Sequence, residues 1–129
     1  MIELERLEIE KETPNKLRWG TTIDRVPFEI YIPKWRVPEP WPAKVYVKLK
    51  PIKSYSNLPN HLSEVEVPSV TNRPVVAYVE SYKEHKHTLR YRPIGDKETW
   101  EIGEPYIPYS LTHNCAPILE ITVYWSKRN

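Results

Sequence analysis

Alternation of apolar and polar residues with a period of two is the feature that most constrains how this chain can fold. The segment KVYVKLK, residues 44–50, places Val45, Val47 and Leu49 on one face, and lysines and a tyrosine on the other. Successive side chains of a β-strand point to opposite faces of a sheet, so this pattern is typical of a half-buried strand. Further strand candidates are FEIYI and six other segments, residues 17–23, 28–32, 74–82, 88–93, 99–102, 106–111 and 117–125.

Composition and turn residues support the same class of fold. Three alanines and no glutamine leave little helix-forming material, and one helical turn is predicted around PNHLSEV, residues 59–65. Turns are predicted at Pro14-Asn15 and at Gly95-Asp96. We therefore predict one all-β domain over residues 1–129. The expected architecture is an antiparallel β-sandwich of about seven to nine strands, with a small β-barrel as the alternative.

In the N-terminal segment the apolar residues change from one set of alternate positions to the other. Ile2 and Leu4 share one phase, whereas Leu7 and Ile9 share the other. A strand with a bulge between Leu4 and Leu7 fits this change of phase, and so does an amphipathic helical turn. We favour the strand, because glutamates 8, 10 and 12 then line one face and can lie opposite the lysines of 44–50.

The segment IYIPKWRVPEPWP, residues 30–42, combines four prolines with two tryptophans. Proline lacks the N–H that a sheet ladder needs, so the segment is expected to be a stiff, extended crossover between two strands. In one interpretation Trp35 and Trp41 fold back over the core. In the other they stay exposed on a rigid arm, where Trp and Arg are typical of binding hot spots. The residues predicted to contact a partner are Tyr31, Lys34, Trp35, Arg36 and Trp41.

Three other segments pair aromatic with basic residues: LRWG (17–20), LRYRP (89–93) and YWSKRN (124–129). On one shared face they would form a surface for carbohydrate or single-stranded nucleic acid. The net charge of +2, with acidic residues interspersed, does not itself favour a nucleic-acid partner.

Four of the five His and Cys side chains occur as pairs two residues apart, His85 with His87 and His113 with Cys115. On strands each pair would share a face, and two such pairs on neighbouring strands would suit a tetrahedral zinc site. The alternative is that both pairs lie in turns, because residues 83–86 read as a hairpin turn and Asn114 and Pro117 mark a loop.

Other catalytic templates find little support. The chain contains no G-x-S-x-G motif, and its three glycines are too scattered for a phosphate-binding loop or a dinucleotide fingerprint. Glutamates are numerous, but nothing in the sequence marks a catalytic pair.

The sequence also allows a prediction of the cellular location and of the growth temperature of the source. A single cysteine, a charged first segment and no apolar run of bilayer length are typical of a cytoplasmic protein or of an intracellularly assembled particle, and we expect no membrane partner. Few thermolabile residues, many charged residues and proline-rich loops are typical of thermophile proteins.

The leading functional hypothesis is a non-enzymatic binding or assembly module that presents its Pro/Trp-rich segment to a protein partner or to copies of itself. Stiff loops and abundant Tyr and Trp suit a preorganised contact surface. The alternatives are a metal-binding β-barrel enzyme that uses the four His and Cys residues, and a module that binds carbohydrate or single-stranded nucleic acid.

Overall fold

The computed structural model of the chain describes residues 5–58 and 72–126, which contain eight β-strands and several short 3-10 turns. The strands are β1 Glu5–Glu12, β2 Lys16–Ile23, β3 Val26–Pro33, β4 Lys44–Ile52, β5 Val75–Glu84, β6 Thr88–Pro93, β7 Tyr106–Pro108 and β8 Ile118–Tyr124.

All eight strands belong to one antiparallel sheet, in the order β3-β2-β1-β4-β8-β5-β6-β7. The two terminal strands of this order, β3 and β7, approach each other, so the sheet curls into a nearly closed barrel. The predicted all-β class is confirmed, and the single curled sheet corresponds to the barrel alternative. Over the described ranges, no helix is long and apolar enough to cross a bilayer.

The inward positions of the alternating strands form one continuous core. In β4 the apolar residues of the KVYVKLK pattern are buried, and Val47 and Leu49 lie opposite Val123 and Ile121 of β8. Strand β8 lies between β4 and β5 and is buried along most of its length, as expected for a central strand. The inward alternation read from the sequence therefore corresponds to the inside of the barrel.

Strand β1 confirms one prediction and modifies another. Glu8 lies opposite Lys44 in the β1–β4 register, as predicted, whereas Glu10 and Glu12 lie beyond the residues that pair with β4. The register irregularity lies between Ile9 and Lys11. Leu7 is buried in the core, whereas Ile9 is exposed. The predicted bulge begins at Leu4, which lies outside the described residues.

The predicted strand at residues 99–102 is wrong. This part of the chain leaves a 3-10 turn, Lys97–Thr99, and continues without strand pairing to Pro105. Side-chain hydrogen bonds favour the turn, because Thr99 Oγ1 donates to Asp96 O at 2.8 Å and Trp100 Nε1 donates to Gly95 O at 3.2 Å. The helical turn predicted at 59–65 lies outside the described residues.

The Pro/Trp-rich segment is anchored to the barrel by Arg36, whose side chain is 2% exposed. Its Nε donates to Glu101 Oε2 at 2.7 Å, and Nη2 donates to the backbone oxygens of Arg73 and Pro74 at 2.9 and 3.1 Å. The guanidinium carbon lies 6.0 Å from the ring centre of Trp125. Arg36 therefore joins the crossover after β3 to the start of β5 and to the segment before β7.

Replacement of Arg36 by Met should lower the free energy of unfolding by about 3–5 kcal/mol, because it leaves the Glu101 carboxylate and two backbone oxygens without this partner. Urea unfolding followed by circular dichroism measures the change. The matched control is Arg6→Met, which removes only the exposed 3.3 Å pair with Glu8 and should change stability by less than about 0.5 kcal/mol. A loss below about 1 kcal/mol for Arg36→Met would contradict the anchoring role.

Candidate functional site

The barrel is incompletely closed along the line where β3 and β7 meet, which we call the seam. Among the described residues, one backbone hydrogen bond crosses it, from Gly103 N–H to Tyr31 O at 2.9 Å. A Cβ atom at residue 103 would lie 3.3 Å from Tyr31 Cβ, so glycine allows the two segments to approach this closely. Backbone pairing across the seam is therefore limited, among the described residues, to this one bond and does not form a continuous ladder.

Prolines explain why the ladder stops at the seam. In an antiparallel pair, alternate residues bond to one neighbour and the others face the opposite edge. Tyr31 bonds to Gly103 across the seam, so Pro27 and Pro33, which share its phase in β3, also face the seam and have no N–H to donate. On β7, Pro108 shares the phase of Tyr106 and likewise offers no donor.

An open groove of about 880 Å³ lies over the seam. We call it the seam groove. Rings and charged side chains from both sides line it, namely Tyr31, Trp35, Trp100 and Tyr106, with Lys16, Lys34, Arg90, Lys97, Glu98 and Glu104. A groove lined by flat rings and a few charged groups has the composition typical of a ligand-binding surface.

Some of the charged groups in the seam groove are already paired. Lys34 Nζ lies 2.6 Å from Glu12 Oε2, and Arg90 Nε donates to Glu104 Oε1 at 2.9 Å. The hydrogen bonds to Glu104 raise the pKa of the Arg90 guanidinium above its usual value. Lys16 and Lys97, in contrast, make no ion pair with any described residue. The groove therefore carries an excess of positive charge.

Tyr31 is held in place by Arg18, which lies directly opposite it on the neighbouring strand β2. Arg18 Nη1 donates to the Tyr31 hydroxyl at 3.1 Å, and this bond is the main cause that raises the pKa of the Arg18 guanidinium. Arg18 Nε lies 3.1 Å from Glu10 and 3.4 Å from Glu29. These two contacts are electrostatic, because the Nε–H is not aligned with either carboxylate for a hydrogen bond.

A row of alternating rings and guanidinium groups continues from the groove onto the outer face of β5 and β6. The Arg90 guanidinium lies 5.3 Å from the Tyr106 ring centre and 5.2 Å from that of Tyr82, and Arg92 lies 4.7 Å from Tyr82. Both tyrosines are exposed. We call these four side chains the Tyr–Arg row. It contains the two arginines of the predicted LRYRP cluster, whereas Tyr91 of that cluster is buried in the core.

The five residues predicted to contact a partner separate into three groups. Tyr31, Lys34 and Trp35 line the seam groove. Trp41 is 37% exposed and lies outside the groove lining, with its ring centre 5.3 Å from Lys34 Nζ. Arg36 points inward as the anchor described above and does not lie at the surface, because internal hydrogen bonds hold its guanidinium.

The four predicted zinc ligands do not converge. His85 and His87 lie in the hairpin turn between β5 and β6, where the His85 ring centre is 5.1 Å from that of Tyr106. His113 and Cys115 lie in a loop of three consecutive residues with positive φ, and His113 Nε2 is 3.1 Å from Leu49 O. No three His, Cys, Asp or Glu side chains in the described ranges are placed to hold a metal ion.

Several groove residues were not predicted from the sequence. Lys16, Trp100, Gly103 and Tyr106 come from segments read as turns or as minor strands. For Tyr106 a signal was present, because Pro108 interrupts the short strand candidate that contains it and is typical of an edge strand. No comparable signal marks the other three residues.

Comparison of the chain with models of known protein families, with curated proteins and with solved structures found no match.

Replacement of Glu10 by Gln should stabilise the protein more at pH 7 than at pH 4. Burial, and next the neighbouring Glu29, raise the pKa of the Glu10 carboxyl above its ordinary 4.5. A raised pKa in the folded protein means that protonated Glu10 favours folding at low pH, and this contribution is lost as the pH rises through the raised pKa. Glutamine is neutral at both pH values, so the variant does not lose this contribution at pH 7. Urea unfolding at both pH values checks this, and the difference should shrink in a Glu29→Gln background. A benefit that is equal at both pH values would contradict the raised pKa.

We expect no stoichiometric zinc to remain on the protein after incubation with zinc and gel filtration, because the His and Cys pairs lie in separate turns. Elemental analysis by mass spectrometry provides the measurement. Retained zinc that is lost in both His85→Ala and His113→Ala would contradict this placement and support the metal-site hypothesis.

Proposed function

We propose that the chain is a non-enzymatic binding module that receives an extended segment of a partner protein in its seam groove. The main support for the proposal is that four aromatic side chains line a groove of about 880 Å³. Tyr31 and Trp35 line it from one side, and Trp100 and Tyr106 from the other. Tyr and Trp offer large contact areas with few rotatable bonds, so they dominate the energetics of many interfaces.

The side chains of the groove are already held in place, which favours a binding role over a catalytic one. Arg18 fixes Tyr31, Gly95 O holds the indole of Trp100, and the Arg36 anchor holds the chain directly after Trp35. Side chains that are already ordered lose little entropy when a ligand binds. The contact surface in this proposal is the groove, and the rest of the Pro/Trp-rich segment supports one of its walls.

A cytoplasmic location is part of the proposal. It is supported by Cys115, the single cysteine of the chain, which is an exposed free thiol. A free thiol at the surface persists most readily in a reducing compartment. The partner is a polypeptide of that compartment, either another protein or a second copy of this chain.

Carbohydrate binding is the second candidate, and the Tyr–Arg row favours it. The exposed rings of Tyr82 and Tyr106 offer flat faces beside Arg and Glu side chains that can hydrogen-bond to hydroxyl groups. Glu80 and Glu104 lie beside Arg92 and Arg90, and their negative charge opposes phosphate. Single-stranded nucleic acid is therefore less well supported than carbohydrate.

Selection from a display library of random peptides tests the leading proposal. Peptides enriched on the wild-type protein should bind Trp35→Ala and Tyr106→Ala at least about 10-fold more weakly, because each variant removes a ring from the groove. Isothermal titration calorimetry measures the affinities. The matched control is Tyr55→Ala, which removes a ring that is 60% exposed and lies outside the groove lining, and should change affinity by less than about twofold.

Two results would contradict the proposal. One is that no peptide is enriched. The other is that enriched peptides bind the groove variants and the control variant equally well. Binding of oligosaccharides that is lost in Tyr82→Ala would move the second candidate into first place.

A further inference from the structure

The edges of the seam restrict how a peptide can lie in the groove. A peptide that adds to a sheet as a new strand needs a row of free N–H and C=O groups. On β3, Pro27 and Pro33 supply no N–H at the seam, and Tyr31 O already accepts the Gly103 N–H. On β7, Pro108 supplies none either. A continuous ladder cannot form along either edge, although the N–H groups at the alternate positions between these prolines still face the seam. Side chains must therefore provide most of the contacts to a ligand in this groove.

The aromatic lining suits a chain that does not need a ladder. A polyproline II helix has no internal hydrogen bonds, and its backbone stays solvated when it binds. Its proline rings pack against flat aromatic surfaces, and its conformation is already ordered before binding. Rings on both sides of the seam groove, Tyr31 and Trp35 facing Trp100 and Tyr106, provide such surfaces.

The charge of the groove favours an acidic ligand. Lys16 and Lys97 line the groove and make no ion pair with the described residues. The Lys16 ammonium lies close to Gly103, 3.8 Å from the position that a Cβ of residue 103 would occupy. The two acidic residues of the lining are outnumbered by four basic ones among the described residues. A carboxylate on the ligand would balance this excess.

We infer that the seam groove binds an extended, proline-rich segment of a partner protein that carries acidic side chains. The rings hold the prolines, and Lys16 and Lys97 pair with the acidic groups. The inference rests on the proposed function, because it specifies the chemistry of the partner for the same groove.

Three synthetic peptides of about 12 residues, which span about 37 Å as polyproline II, test the inference. They repeat Pro-Pro-Glu, Pro-Pro-Lys and Gly-Ser-Glu, and an oligothymidylate serves as a non-peptide polyanion. The fluorescence of the full chain, whose groove contains Trp35 and Trp100, reports binding of each probe. We expect the Pro-Pro-Glu peptide to bind at least about 10-fold more tightly than either other peptide, because only this peptide combines proline rings with negatively charged side chains.

A lysine variant distinguishes the contribution of charge to peptide affinity from the contribution of ring packing. Lys16→Met should weaken binding of the Pro-Pro-Glu peptide by about fivefold, as the loss of an exposed ion pair implies, and should reduce its preference over Pro-Pro-Lys. The matched control is Lys53→Met, which replaces an exposed lysine outside the groove lining and should leave both unchanged. Circular dichroism of each variant establishes that it is folded.

The outcomes distinguish this inference from the proposed function. If the Gly-Ser-Glu peptide bound as tightly as the Pro-Pro-Glu peptide, the polyproline II mode would be overturned, although a peptide would still occupy the groove. Equal binding of the Pro-Pro-Lys peptide would overturn the role of charge. If none of the three peptides binds while library peptides do, the inference fails and the proposed function stands. Tight, strongly salt-dependent binding of the oligothymidylate alone would overturn both, because the partner would then be a nucleic acid.

Discussion

The buried guanidinium of Arg36 holds together three parts of the chain that no strand pairing connects: the crossover after β3, the start of β5 and the segment before β7. A charge in this position is stable only while its partners remain in place, so the ion pair with Glu101 determines where these segments can lie. Trp35 precedes Arg36 directly, and Ile102 and Gly103 follow Glu101. The same interaction that closes the fold therefore positions both walls of the seam groove.

The groove itself is a consequence of incomplete closure. A barrel in which every strand pairs on both sides has no unpaired sheet edge. Here prolines at the β3 and β7 edges remove some of the donors, and Gly103, which precedes β7, supplies the one backbone bond to β3 across the seam among the described residues. Exposed edges that cannot pair are protected against aggregation, and the space they leave is filled by rings and by charged side chains. Protection of the edge and formation of a binding surface have the same physical origin in this protein.

Local patterns predicted the strands well and predicted the site only in part. The alternation of Val45, Val47 and Leu49 indicated both a strand and its buried face, because burial follows a period of two. The same period does not encode which strands are neighbours, so the meeting of β3 with β7 could not be predicted. The inward direction of Arg36 was missed because its partner, Glu101, lies far away in the sequence, and no local pattern indicates such a pair. Trp35 and Tyr31 were predicted from the local pattern of prolines, aromatic and basic residues in 30–42, whereas Trp100 was assigned to a strand that does not form.

Occupation of the seam groove by a ligand is what the proposed function requires. Two-dimensional ¹H–¹⁵N NMR of the labelled protein, titrated with the tightest peptide selected from the random library, tests it most directly. If the peptide lies in the groove, the largest shifts should belong to the Gly103 amide and to the indole N–H groups of Trp35 and Trp100, and the buried indole of Trp19 should be little affected. Shifts that concentrate on the β4–β8 side of the barrel and leave Gly103 unchanged would contradict it.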